Sequence, residues 1–201
     1  NGQRKKRWWK MQKLTYVTGN TFKAKQISMY FDWPYDIADL DLTEIQSLDV
    51  VEVAEHKVRE AYSLLKRPVF VDDFSIIFNA LGKLPGPLIK WFTKELKVKG
   101  LCRLLIGQPD RSAVVQSAIA YADEHGVANF CAELKGSIAY APRGDRSRAV
   151  TSIFIPDGFD KTWSEMTDEE QTEASLRRPA LLELKSFLSE RQKRNTNTPQ
   201  R

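Results

Sequence analysis

The sequence predicts an α/β fold with a mixed central sheet flanked by helices. Three observations carry this expectation. Short apolar runs alternate with helical stripes through the first half of the chain. A buried run at Pro68–Val71 follows a long amphipathic stretch. Two long segments, Ala113–Tyr121 and Ala128–Ile138, then face each other across a polar turn.

Taken in order, Leu14–Val17 reads as a strand and Asn20–Phe31 as a helix. Ile37–Leu42 is a second extended segment. Val50, Ala54, Val58, Ala61 and Leu65 fall on one helical stripe, so Val50–Leu65 is a helix. Pro68–Val71 is a short buried strand that ends at Asp72-Asp73, placing both carboxylates at a sheet rim, where ligands bind in open α/β folds. Pro85–Leu96 and Leu101–Ile106 read as helical. The long pair, joined by Asp123-Glu124-His125-Gly126, is antiparallel and forms a second lobe. Thr167-Asp168-Glu169-Glu170 has the form of a capping box, and Pro179 suits the first turn of a final helix ending near Leu188.

Length and composition set limits. A chain of 201 residues with 42% hydrophobic content supports one domain, expected over residues 13–190. No apolar run approaches the roughly 20 residues needed to span a bilayer, and no signal-peptide pattern is visible. Cys102 and Cys131 read as small core residues without metal-ligand spacing, which suits a reducing, cytoplasmic setting. The net charge of +5 belongs to the ends. Residues 1–14 and 191–201 hold ten basic residues and no acid, leaving 21 basic against 26 acidic residues in the body. The body is therefore no basic nucleic-acid platform. Residues 1–12 read as a disordered basic leader and 191–201 as a flexible polar tail. The leader is either a solvated tail or, through Trp8 and Trp9, a surface for stacked bases or a membrane face.

Chemistry concentrates in two places. Thr18-Gly19-Asn20-Thr21-Phe22-Lys23 joins a strand to a helix. Such a turn aims free backbone N–H groups and the helix dipole at one point, where an anion fits. Gly19 permits close approach, Asn20 caps or donates, and Lys23 adds a mobile charge. The second place is acidic: Glu44 past the second extended segment, and Asp72-Asp73 after the third. If these rims coincide, Glu44 and Asp73 can share a Mg²⁺, which takes a few carboxylates plus water and phosphate oxygens.

The order of these motifs, together with Leu84-Pro85-Gly86-Pro87-Leu88-Ile89-Lys90-Trp91-Phe92, Pro142-Arg143-Gly144 and Ile155-Pro156-Asp157-Gly158, resembles the inosine triphosphate pyrophosphatase (Ham1-like) family. The likeness runs from about Leu14 to Leu188. It implies an elongated, two-lobed fold with a cleft between the lobes, in a homodimer. It implies hydrolysis of non-standard purine nucleoside triphosphates, with Mg²⁺ or Mn²⁺ in its place. Carried over by motif, Thr18, Gly19, Asn20 and Lys23 would hold the triphosphate, with Lys57 and Lys90 as further phosphate cations. Glu44, Asp73 and Asp72, which stands where the family has Glu, would face the metal. Asp73 would also orient the attacking water, with Lys23 supporting the chemistry.

The departures cluster around the base. Where the family carries Phe-Gly-Tyr/Trp-Asp, an ungapped count gives Arg148, Ala149, Val150 and Thr151. Ser-His-Arg becomes Ser175-Leu176-Arg177, and a family lysine becomes Gln171. Arg148 can stack in place of the aromatic ring, and Arg177 remains to contact the base. These changes imply altered keto/amino discrimination or a mobile loop at 145–152 with the ordinary specificity. A second class of function is a weakly catalytic nucleotide-binding or RNA-associated protein using Arg4–Lys10. It has less support, because a binding module has little need to keep Glu44 and Asp73 together.

Overall fold

The computed structural model describes residues 13–145 and 150–197, the side chains of 195–197 excepted. The basic leader and Arg148 lie outside the described residues. The chain forms a mixed sheet of seven strands: β1 (Leu14–Val17), β2 (Tyr35–Ala38), β3 (Val69–Phe78), β4 (Pro85–Gly86), β5 (Ser112–Asp123), β6 (Gly126–Ile138) and β7 (Phe154–Pro156). The helices are α1 (Thr21–Tyr30), α2 (Val50–Leu65), α3 (Ile89–Arg103), α4 (Asp168–Glu173) and α5 (Arg177–Asn197). Strand order is β2-β1-β3-β5-β6-β7, with β4 beside β3. β1 pairs in parallel with β2 and β3, and the remaining pairings are antiparallel.

Alternation along β3 sorts its side chains between two layers. Val69 and Val71 face α2, in a cluster with Val50, Ala54, Val58 and Ala61. Phe70 faces the other way, stacked on Tyr16 at 4.6 Å and packed towards α1 and α5. A third cluster, around Ile76, Phe78, Leu101, Ile138 and Phe154, fills the far end of the sheet.

β3 was expected to stop at Val71 but continues to Phe78, because β5 pairs with it from Val69↔Ala122 to Phe78↔Ala113. Asp72 and Asp73 are therefore in mid-strand. They still border an opening. Along its other edge β3 pairs with β1 at Val69 and Phe70 and with β4 at Ile76 and Ile77, and no strand among the described residues pairs with the stretch between. The β5–β6 pair is antiparallel, as expected. It belongs to the common sheet. The helix expected from Pro85 begins at Ile89, since Pro85-Gly86 is recruited as β4, and α3 breaks at Lys97, with φ +56°. Cys102 is buried as expected, but Cys131 is exposed, pointing out of β6 between inward-facing Phe130 and Ala132.

The last helix passes Leu188 and reaches Asn197, so part of the expected tail is helical. Arg191 reaches the buried Asp123 carboxylate at the end of β5, which also accepts from the Tyr121 hydroxyl at 2.9 Å and the His125 N–H at 2.9 Å. Burial pushes the Asp123 carboxyl up, but these donors outweigh it and hold its pKa below the ordinary value. A depressed carboxyl stabilises the fold above its unfolded pKa, near 4, and loses that contribution as pH falls through the folded value. Asp123→Ala should therefore lower stability by about 1–3 kcal/mol near neutral pH. The difference from wild type should shrink in urea melts below about pH 4. An equal difference at pH 7 and pH 2.5 would mean that the pair is not its source.

Candidate active site

The site starts at the turn after β1. The Asn20 N–H donates to Thr18 Oγ1 at 3.1 Å, and Asn20 Oδ1 accepts from the N–H groups of Phe22 and Lys23 at 3.0 and 3.2 Å. Asn20 is thus the cap of α1, which fixes where the helix opens. A Cβ on Gly19 would lie 2.5 Å from Asp39 Oδ1, so glycine lets the turn pass close to the Asp39 carboxylate beyond β2. Lys23, one turn into α1, folds back over β3. Its ammonium donates to the Asp72 carbonyl at 2.6 Å.

The two acids expected to work together do converge. Lys57 Nζ, from α2, donates to Asp73 Oδ2 at 2.7 Å and to Glu44 Oε1 at 3.1 Å. Lys90 Nζ, from the first turn of α3, reaches the other oxygen of Glu44 at 3.0 Å. The Pro85-Gly86 strand brings Lys90 here by turning the chain beside β3 into α3. Burial works against the charge of Lys57, but Asp73 and Glu44 outweigh it and raise its pKa. Burial likewise pushes Glu44 up, and the hydrogen bonds from Lys90 and Lys57 pull it below the ordinary carboxylate range. Glu44 is ionised and Lys57 protonated at neutral pH.

Two carboxylates that already share one cation form a fitting donor set for a hard divalent ion, which completes its shell with water and phosphate oxygens. No group of three or more His, Cys, Asp or Glu side chains suited to a metal occurs among the described residues.

Asp72 departs from expectation. One residue before Asp73, it points to the opposite face of the sheet, where its side chain is fully buried. Oδ1 accepts from the Ser117 hydroxyl at 2.9 Å and Oδ2 from Arg177 Nε at 2.9 Å. Burial opposes ionisation of Asp72, yet Arg177, Lys23 and Ser117 hold its pKa below the ordinary value. Both oxygens are committed, and Asp72 is withdrawn from the metal-facing set. Arg177 is itself buried, and its Nη1 donates to Gln26 Oε1 at 2.9 Å.

Two hollows meet over this floor. A polar cleft of about 840 Å³ is lined by Thr18, Lys23, Glu44, Lys57, Asp73 and Lys90, among others. A mostly apolar pocket of about 350 Å³ adjoins it, and both have Asn20, Lys23, Phe74 and Val150 in their walls. Gln26, Leu176 and Arg177 line the pocket, as do Phe22, Phe74 and Trp163. The structure therefore gathers Thr18, Gly19, Asn20, Lys23, Glu44, Lys57, Asp73 and Lys90 along one cleft and sets Arg177 in the neighbouring pocket. Sequence reasoning did not single out Phe22, Gln26, Phe74 or Trp163. Phe22 and Phe74 flank marked residues and could have been suspected, whereas nothing local points to Trp163.

A profile of the Ham1 family matches residues 14–187. Two Trypanosoma cruzi (strain CL Brener) proteins, inosine triphosphate pyrophosphatase 2 and inosine triphosphate pyrophosphatase 1, are each 38% identical over 178 residues. The match covers 87% of this chain and 91% of each relative. The fold is also similar to solved structures. A Coxiella burnetii HAM1 protein matches with a TM-score of 0.78 at 23% identity, over 90% of this chain and 100% of that one. The Staphylococcus aureus Ham1 protein matches with a TM-score of 0.76 at 23% identity, over 89% and 100%.

Proposed function

The chain belongs to the Ham1 family and is a nucleoside triphosphate pyrophosphatase, and from that premise we propose that it hydrolyses inosine and xanthosine triphosphates, with their deoxy forms, to monophosphate and pyrophosphate. The observation that carries this reading is the convergence of Glu44 and Asp73 on one ammonium, in a polar cleft that adjoins an apolar pocket large enough for a base.

The triphosphate lies along the cleft, with Thr18 and the α1 turn at one side and Lys23, Lys57 and Lys90 as its cations. Preorganised cations offset the charge that grows on the phosphate oxygens as the pyrophosphate departs. Asp73 accepts a proton from the water that attacks the α-phosphorus. Glu44 and Asp73 would hold Mg²⁺, or Mn²⁺ in its place. Such an ion, when bound, neutralises phosphate charge and favours ionisation of water. Lys57 keeps the two acids together until they are engaged. The base enters the apolar pocket, beside Arg177 and Gln26.

Lys57→Gln should lower kcat/KM about 10²–10³-fold in steady-state assays, the scale of losing one preorganised donor to transition-state charge. A change of less than threefold would take Lys57 out of the site.

The reading extends to a homodimer in a reducing cytoplasm. Two free cysteines support the compartment, and no helix among the described residues is long and apolar enough to cross a membrane. The testing experiment is pyrophosphate release from inosine, xanthosine, adenosine and guanosine triphosphates, with Mg²⁺ titrated. Ion-dependent release, fastest for the 6-oxo bases other than guanine, is expected. Leu176 and Thr151 stand where the resemblance gives polar readers of the base edge, so the roughly 1–3 kcal/mol that a mismatched buried polar group costs no longer separates the bases, and the preference over adenosine triphosphate should be shallow. Tight nucleotide binding with no release at any ion concentration would favour a binding protein.

A further inference from the structure

By the ungapped count, Arg148 and Val150 stand where the resemblance gives aromatic rings beside the base. We propose that Trp163, from a different part of the chain, is the platform on which the purine stacks; this rests on the functional reading above. Trp163 lines the apolar pocket and meets Phe22 edge-on, with ring centroids 6.4 Å apart at 83°. An indole that lines a pocket adjoining a triphosphate cleft supplies the aromatic surface on which any purine can stack.

The turn that carries Trp163 is anchored by hydrogen bonds with three separate segments, around Arg143, Thr151 and Gln171. Trp163–Glu165 form a 3₁₀ turn closed by a capping box, in which the Thr162 N–H donates to Glu165 Oε2 at 2.8 Å. The Ser164 hydroxyl donates to the Arg143 carbonyl at 2.9 Å, and the Ser164 N–H to the Thr151 carbonyl at 2.9 Å. Gly144 has φ +69°, and a Cβ there would lie 2.5 Å from Ser164 Oγ. Pro142-Arg143-Gly144 is thus the seat of this turn. Gln171, where the resemblance gives a lysine, braces it from beneath. Its amide nitrogen donates to the carbonyls of Trp163 and Met166, each at 3.1 Å. A ring held this way before the ligand arrives loses little freedom on binding, which is what a platform requires.

The test compares Trp163→Leu and Trp163→Phe with wild type. KM for inosine triphosphate should rise roughly 10- to 100-fold in Trp163→Leu with kcat within threefold, following the usual worth of a base–aromatic stack. Trp163→Phe should recover most of the loss. Inhibition by inorganic tripolyphosphate, which has no base, should be unchanged in both. Inosine monophosphate should quench the tryptophan fluorescence of wild type but not of Trp163→Phe. An unchanged KM in Trp163→Leu, or a matching loss of tripolyphosphate inhibition, would overturn the proposal and leave the functional reading intact. A wild type that cleaves no purine triphosphate would instead fail the functional reading, and the platform with it.

Discussion

Asp73→Asn is expected to cut pyrophosphate release by about 10²–10⁴-fold for every nucleotide tested, the range associated with a positioned general base. Asparagine keeps the size of the side chain and an oxygen in place of Oδ1, which accepts from the Phe74 N–H at 2.9 Å. What it loses is the charge that meets Lys57 at 2.7 Å and the capacity to take a proton. The fold should persist, as circular dichroism and urea melts can check. Because the effect lies on the chemical step, kcat should carry it. Residual activity within tenfold of wild type would remove Asp73 from its assigned role, whatever the fate of Glu44.

The second large effect concerns stability. Asp72 and Arg177 lie 105 residues apart in sequence and form a buried ion pair, with the Asp72 side chain fully covered and Arg177 7% exposed. Such a pair adds little over a well-packed apolar substitute, but removing one partner strands the other charge in the interior. Asp72→Leu should therefore lose about 3–5 kcal/mol in urea unfolding. Adding Arg177→Met should restore much of that stability while weakening nucleotide binding, because Arg177 also lines the base pocket. A single variant within 1 kcal/mol of wild type would contradict the assignment of Asp72 to structure.

These two neighbours show what was legible in the sequence and what was not. Periodicity gave α2 at its observed bounds and the antiparallel hairpin within a few residues of its ends, because both signals repeat locally. The capping box at Thr167–Glu170 is also local, and it forms as expected. The motif order brought Glu44, Lys57, Lys90 and Asp73 to notice together. The course of β3 was hidden, because two carboxylates interrupt its apolar run. What carries the strand through them is pairing with β5, a contact between distant segments. Once the strand continues, alternation alone sends Asp73 to α2 and Asp72 to α5, an outcome no local pattern states. Trp163 was invisible for the same reason. Its place depends on Gly144, Thr151 and Gln171 meeting around one turn.

The central claim is that water attacks the α-phosphorus of a purine triphosphate held in the Glu44–Asp73 cleft. Hydrolysis of inosine triphosphate in ¹⁸O-enriched water tests it most directly. The account predicts that the label appears in inosine monophosphate, with unlabelled pyrophosphate as the other product. Label in the pyrophosphate, or inosine diphosphate with labelled phosphate, would contradict it.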